Sequence, residues 1–260
     1  MEAKWFNPFP LLKGRRALVT GGSRGIGAGM AEGLARVGAE VVITQTRPPE
    51  EHIPEWVRAV EAEGFSVTVI QGSFERPETL YDWAERVWAQ HGPFDILVNN
   101  AGIMRRGPVD TFSWEDWKAV IDVNLNAVFV LTQAIGRHML ERGYGKIINT
   151  ASLMSFQGGI RVPAYAASKG GLAQLTKAFA NEWAGRGVNV NAIAPGYIAT
   201  DLTQALRDDP ERFRELSARI PQGRWGRPED LAGAAVFLAS PWSDYVNGHV
   251  LAVDGGWLAR

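Results

Sequence analysis

The sequence predicts an α/β fold: one domain, residues 1–260, organised as a doubly wound parallel sheet of about seven strands. Three observations carry this prediction. Short apolar runs alternate with helical patterns in units of about thirty residues, the signature of strands joined by crossover helices. A glycine-rich turn directly follows the first apolar run and opens a helix. Farther along, Asn99–Gly102, Ser152 and Pro195–Gly196 each follow another apolar run, and in such sheets ligands bind beyond the carboxyl ends of the strands.

Taken in order, residues 1–14 read as an arm, because Pro8, Pro10 and Gly14 interrupt any regular pattern. RALVT, ending at Thr20, is the first strand, and GGSRGIGAGMAEGLARVG follows as turn and helix. Gly21, Gly25 and Gly27 are spaced as G-x-x-x-G-x-G. Glycines there let the backbone approach a pyrophosphate, and the helix N-terminus offers free N–H groups. A plain tight turn would use the same residues, so this feature alone leaves both readings open. EVVIT, 40–44, is the second strand, followed by Gln45, Thr46 and Arg47 where an acidic residue often holds a ribose 2′-hydroxyl. After the proline-broken RPPEEHIP, a helix runs to about Glu63, and SVTVIQG is the third strand, with Ser73 and Phe74 after it. PETLYDWAERVWAQHG is an amphipathic helix whose tryptophans read as packing.

FDILVNNAG, 94–102, is the fourth strand, and its terminal asparagines brace a turn by bonding to neighbouring backbone. SWEDWKAVIDVNLNAVFVLTQAIGRHMLERG reads as one long helix opening with a capping-box-like Ser113 and Asp116. Asn124 falls inside it among apolar residues, and a buried amide needs partners; it is either a structural hydrogen-bonder or part of a proton path. GKIINTAS is the fifth strand and delivers Ser152. PAYAASKGGLAQLTKAFANEWAGRG is the next helix, and VNVNAIAPG is the sixth strand. Residues 197–227, polar and containing Pro210 and Pro221, suggest a mobile flap over the pocket. PEDLAGAAVFLAS is a helix and GHVLAVDGG the last strand.

Composition narrows the function classes. At 46% hydrophobic residues the chain can bury a sizeable core, and a net charge of −1 argues against nucleic acid or an anionic membrane as partner. The absence of cysteine excludes disulfides and thiolate metal ligands and suits a cytoplasmic enzyme; no metal site is expected. No stretch reaches the ~18 consecutive apolar residues that a bilayer span needs, and the N-terminus carries no signal-peptide pattern.

Chemistry concentrates between Ser152 and Lys169, in SLMSFQGGIRVPAYAASK. Tyr165 and Lys169 lie one helical turn apart on a common face. A free phenol has a pKa of about 10 and exchanges protons poorly at neutral pH. A nearby ammonium favours the phenolate and makes the tyrosine useful as an acid or base. Ser152, at a strand end, can help hold a substrate oxygen. The same Tyr/Lys spacing also occurs on ordinary solvated helices, so the pair gains weight from the strand-end residues around it.

TGGSRGIG at 20–27, NNAG at 99–102, Asn124, Ser152, Tyr165-x-x-x-Lys169 and PG at 195–196 together resemble the short-chain dehydrogenase/reductase family over nearly the whole chain. The resemblance implies a single-domain Rossmann fold and an NAD(P)-dependent oxidoreductase acting on CH–OH groups. It assigns Tyr165 as acid/base and Ser152 as the group that steadies the substrate oxygen. Lys169 would lower the tyrosine pKa and bind the nicotinamide ribose, and Asn124 would hold a water linking Lys169 to solvent. Cofactor contacts are implied at Gly21, Ser23, Arg24, Gly25, Ile26 and Gly27 of the turn, and at Gln45 and Arg47 after the second strand. Ser73 and Phe74 follow the third strand, with Ser73 standing where many members have an adenine-binding aspartate. Asn100, Ala101, Gly102, Tyr165, Lys169, Pro195, Gly196, Ile198 and Thr200 complete the set.

A closer resemblance, to the family's sugar-acid dehydrogenases, lies in SFQGGIRVPAYAASK, ANEWA, NVNAIAPGYIAT, RIPQGRWGRPEDL, SDYVNG and AVDGGWLAR. It implies interconversion of a secondary alcohol and a ketone on a sugar acid of the 2-deoxy-D-gluconate or 2-dehydro-3-deoxy-D-gluconate type. The alternatives are a 3-oxoacyl-[acyl-carrier-protein] reductase, which shares TGGSRGIG, and a non-catalytic dinucleotide-sensing regulator, which usually lacks the tyrosine or lysine kept here. NAD is the expected cofactor, with NADP tolerated: no acid at Gln45 repels a 2′-phosphate, while Arg24 and Arg47 either pair with it or are solvated. For the substrate carboxylate the candidates are Arg161, then Arg105 and Arg106, with Gln157 for a hydroxyl; the opposing reading makes these arginines surface residues. The family also implies a homotetramer, with one face built from helices 113–142 and 163–186. The second face would use helix 228–239 and the last strand, near Trp257 and Leu258.

Overall fold

The computed structural model describes residues 11–260; the part of the expected arm at residues 1–10 lies outside the described residues. Seven strands form one sheet: β1 (Arg16–Val19), β2 (Glu40–Gln45), β3 (Val67–Gln71), β4 (Ile96–Asn99), β5 (Gly145–Thr150), β6 (Val188–Pro195) and β7 (Val250–Val253). Their order is β3-β2-β1-β4-β5-β6-β7 and all pairings are parallel. The chain thus winds outward from β1 in one direction, then crosses back to β4 and winds outward in the other. The β1/β4 boundary is the topological switch point, where the crevice of such a sheet opens.

Helices cover both faces: α1 (Gly25–Arg36), α2 (Glu55–Ala62), α3 (Leu80–His91), α4 (Trp114–Ile121), α5 (Ala127–Arg142), α6 (Pro163–Trp183), α7 (Gln204–Arg207), α8 (Pro210–Ala218) and α9 (Ala232–Ala239). Successive strand side chains point to opposite faces, and the core divides accordingly. Ala17, Val19, Val41 and Ile43 pack with Met30, Leu34, Val57 and Leu238 under α1, α2 and α9. Leu18, Val42 and Leu97 pack with Leu80, Leu131 and Phe179 under α3, α5 and α6. A side chain as fully buried as Leu18 contributes about 1.5–3 kcal/mol. Local signals set the helix ends: Pro163 opens α6 with its φ already helical, and Gly143 closes α5 in the left-handed conformation at φ 67°.

Two expectations need correction. The long helix from Ser113 is not regular: a π-turn, Asp122–Asn126, separates α4 from α5. Its Trp114–Arg142 run, 29 residues with a mean hydropathy of 1.5 in its most apolar window, passes the length and composition test for a bilayer span, against the expectation that no stretch would. That window is 67% buried inside the fold, so its apolar character serves the core. The 197–227 segment holds α7 and α8 and packs around its own small core of Leu153, Leu216, Ile220, Trp225 and Trp257. Trp257 is buried in this small core, at 2% exposure.

Candidate active site

A cavity of about 620 Å³ opens beyond the carboxyl ends of β1, β2, β4, β5 and β6. At one end lies the glycine-rich turn. Gly21 has φ 64°, and a Cβ there would sit 3.1 Å from Ala101 Cα; a Cβ at Gly27 would sit 2.2 Å from the Gly21 carbonyl oxygen. Only glycine permits this closeness, which leaves a bare backbone cradle. Neighbouring strands fix the turn in place. The Gly21 N–H donates to Thr44 Oγ1 (2.9 Å), and Asn100 Nδ2 donates to the Thr20 and Gly21 carbonyls (3.0 and 3.1 Å). Asn99 lies behind, donating to Thr132 Oγ1 and Asn149 Oδ1. Of all the cofactor candidates only Arg47 lies away from the cavity; it is exposed beyond the rim.

Gln45 is 5% exposed. The residue lines the cavity; its Nε2 donates to the His52 carbonyl (2.7 Å), while its Oε1 is buried without a partner. The His52 carbonyl fixes which end of the amide faces inward, because the reverse orientation would oppose two acceptors. An orphaned acceptor beside a glycine cradle fits a dinucleotide, whose ribose hydroxyl is a donor and whose phosphates seek backbone N–H groups. The family would place that cofactor here, held by the turn, Gln45 and the strand-end residues.

Ser152, Tyr165 and Lys169 line the cavity past the end of β5. Lys169 is 4% exposed, its Nζ donates to the Thr150 carbonyl (2.5 Å), and it lies 5.6 Å from the Tyr165 ring centroid. Burial pushes its pKa down from 10.5 to about 8. Burial also raises the Tyr165 phenol above its usual value, opposed by a hydrogen bond with Ser152 and by the charge of Arg106. Arg106 thus joins Lys169, the residue the sequence pointed to, near the phenol. Asn124 sits fully buried behind these groups. Its Oδ1 accepts from the Ile103 N–H (2.8 Å), and its Nδ2 donates to the Ile103 carbonyl (2.9 Å) and Ser168 Oγ (3.2 Å). The amide ties the loop after β4 to α6, and the π-turn is the local distortion at the residue that makes these bonds.

At the far end the arginine ranking changes. Arg106 lines the cavity; Arg105 pairs instead with Asp116 (3.4 Å) and Arg161 is exposed outside it. Arg161 has φ 62°, and its carbonyl accepts from the Gly107 N–H (3.0 Å), so its backbone closes a loop while its side chain is not part of the lining. Gln157 is likewise outside the lining and accepts from Trp257 Nε1 (3.4 Å). Arg212 on α8, absent from the sequence reading, does line the cavity, with Tyr197, Leu206 and Leu216. One signal pointed to it: Arg212 precedes the buried Leu216 by four residues, on the same helix face. Burial raises the Tyr197 phenol, and the charges of Arg212, Arg219 and Arg106 pull it back; of the three, Arg106 and Arg212 line the cavity and Arg219 lies over the Trp257 ring.

Residues 21–258 match the family model described as enoyl-(acyl carrier protein) reductase. The 2-dehydro-3-deoxy-D-gluconate 5-dehydrogenase of Bacillus subtilis (strain 168) is 54% identical over 249 residues, 96% of either chain. The chain belongs to the short-chain dehydrogenase/reductase family. Solved structures of this short-chain dehydrogenase/reductase type agree. One, from Agrobacterium tumefaciens and assigned as a 2-deoxy-D-gluconate 3-dehydrogenase with bound NADP, is 52% identical with a TM-score of 0.90, covering 98% of this chain and 100% of that one. A gluconate 5-dehydrogenase from Burkholderia cenocepacia J2315, in complex with NADP and tartrate, is 44% identical with a TM-score of 0.91, covering 96% and 98%. The protein is a short-chain dehydrogenase/reductase that acts on CH–OH groups with a nicotinamide dinucleotide.

Proposed function

We propose that this enzyme interconverts a secondary alcohol and a ketone on a sugar acid, of the 2-deoxy-D-gluconate or 2-dehydro-3-deoxy-D-gluconate type. The observation that carries the reading is the convergence of Arg106 and Arg212 on the Tyr197 end of the cavity, with Arg106 also acting on Tyr165. A sugar acid brings one fixed negative charge and several hydroxyls into the pocket, and guanidinium groups suit a carboxylate. The sugar-acid names of the relatives, and the tartrate in one of them, support it. In our reading Tyr165 takes the hydroxyl proton during oxidation and returns it during reduction, while Ser152 holds the same oxygen. Lys169 holds the nicotinamide ribose and passes protons onward; Asn124 supports the site from behind, through its loop and any water its backbone holds. The nicotinamide supplies the hydride acceptor or donor.

Incubation with NAD or NADP and a panel of sugar acids, followed by absorbance of the reduced cofactor, tests the reading. Sugar acids should turn over well ahead of neutral sugars of the same length. Arg106→Ala should raise KM for the acid about ten-fold or more, from the loss of roughly 1.5–3 kcal/mol of charged hydrogen bonding. Equal losses on charged and neutral substrates would overturn the assignment.

On the cofactor, Gln45 supports NAD and Arg24 offers a foothold for NADP. The NADP in solved relatives moves the balance toward NADP from the NAD-first expectation, and we infer that both are used. We place the enzyme in the cytoplasm as a homotetramer.

A further inference from the structure

One ion pair ties the glycine-rich turn to the flap. Arg24 Nη1 lies 2.5 Å from Asp201 Oδ2, across 177 positions of chain. The elements also touch: a Cβ at Gly25 would sit 3.4 Å from Thr200 Cγ2. Both charged side chains line the cavity and are 78% and 75% exposed, so solvent weakens the pair and a competitor can take either partner. Arg24 is the one guanidinium that lines the cavity at this end among the described residues; Arg207, which donates to the Thr200 carbonyl (3.4 Å), stands outside the lining. Arg106 and Arg212 gather at Tyr197, and Arg47 lies outside. The β2 end is directly beside the turn, with the Gly22 N–H donating to the Thr44 carbonyl (3.1 Å). There Gln45 spends its Nε2 donor on the His52 carbonyl and has only an unpartnered acceptor oxygen left, which suits a ribose hydroxyl and offers nothing to a phosphate.

A 2′-phosphate therefore depends on Arg24, which already has a carboxylate partner. The geometry points to Asp201 as a specificity-determining residue, whose carboxylate competes with the 2′-phosphate of NADP for Arg24 and so holds the enzyme open to NAD. This rests on reading the cavity as a dinucleotide site, and it concerns a flap residue outside the catalytic group.

The test measures Kd for NADPH and NADH, by their fluorescence on the whole protein without substrate, in wild type, Asp201→Asn, Arg24→Gln and the double variant. Asp201→Asn should tighten NADPH about three- to five-fold, the range of an exposed ion pair, and shift NADH by less than about two-fold. Arg24→Gln should weaken NADPH and erase the effect of Asp201→Asn in the double variant. Asp201→Ser removes the same carboxylate and replaces the amide if that disturbs the flap. Equal tightening of both cofactors, no change in either, or an effect that persists without Arg24 would each overturn the inference. Because no substrate is present, such a failure leaves the sugar-acid reading untouched. Failure of the wild type to bind either dinucleotide would overturn the cofactor reading and this inference with it.

Discussion

Tyr165 is held between opposed influences. Burial favours its neutral form, while Ser152 and Arg106 favour the phenolate. Tyr165→Phe removes only the transferable proton, so we expect turnover to fall by about 10²–10⁴ or more while cofactor Kd survives; near-normal turnover in a rate assay would sink the mechanism. Arg106, proposed above as a carboxylate contact, also bears on this proton. Arg106→Ala takes away a cation that favours phenolate, so the ascending, acid-side limb of the oxidation pH–rate profile should move to higher pH, and Arg106→Lys should restore part of it. Lys169 makes a separate pH statement. Folded, it titrates at about 8, and its usual value is 10.5. Between those values the unfolded chain holds more protons, so the stability contributed by this residue rises with pH across that window and is lowest below 8. Lys169→Met should therefore compare best with wild type in Tm near pH 7 and lose ground as pH approaches 10. A pH-independent difference in Tm would contradict the burial argument.

Elements explain what the sequence disclosed and what it hid. The cradle was legible because it rests on local rules: Gly21 needs its positive φ, and Gly27 has a backbone carbonyl where a side chain would begin. Gly27→Ala would also bring its Cβ to 2.4 Å from Asn100 Nδ2, so turn and asparagine must move together. We expect dinucleotide affinity to collapse and Tm to drop, measured by cofactor fluorescence and thermal unfolding; wild-type affinity would mean the turn does not touch the cofactor. The π-turn was not legible, because its cause is tertiary: the Asn124 amide bonds Ile103 and Ser168, both distant in sequence. The placement of the arginines was hidden for the same reason. Arg105, Arg106 and Arg161 all stand close to catalytic strand ends in sequence. Which one reaches the cavity depends on a left-handed turn at Arg161 and a pairing to Asp116, and neither has a local signature. Arg212 was masked by a polar flap whose small core forms only when Trp257 folds back against it.

At the scale of the whole molecule, two helical glycines lack an explanation within the protomer. A Cβ at Gly233 in α9 or at Gly170 in α6 would meet nothing within 4 Å, yet glycine in a helix costs about 1 kcal/mol relative to alanine. Small residues let another helix approach closely, and each glycine lies on one of the two faces proposed for the tetramer. Exposed apolar groups accompany them. Phe129 on α5 stacks on Phe179 of α6 while remaining 40% exposed, and Trp242 and Tyr245 stand outward between α9 and the edge strand β7. Such self-complementary patches suit two-fold symmetry, and two different faces build a closed tetramer. Light scattering should give a mass near four times 28.5 kDa. Gly233→Glu places a charge where the protomer has open space, so it should spare the fold and split the tetramer into dimers through the α9 face. Phe129→Asp should do the same through the α5/α6 face, and the two together should yield monomers. A monomeric wild type at micromolar concentration would refute the assembly, and tetramers surviving both substitutions would move its faces elsewhere.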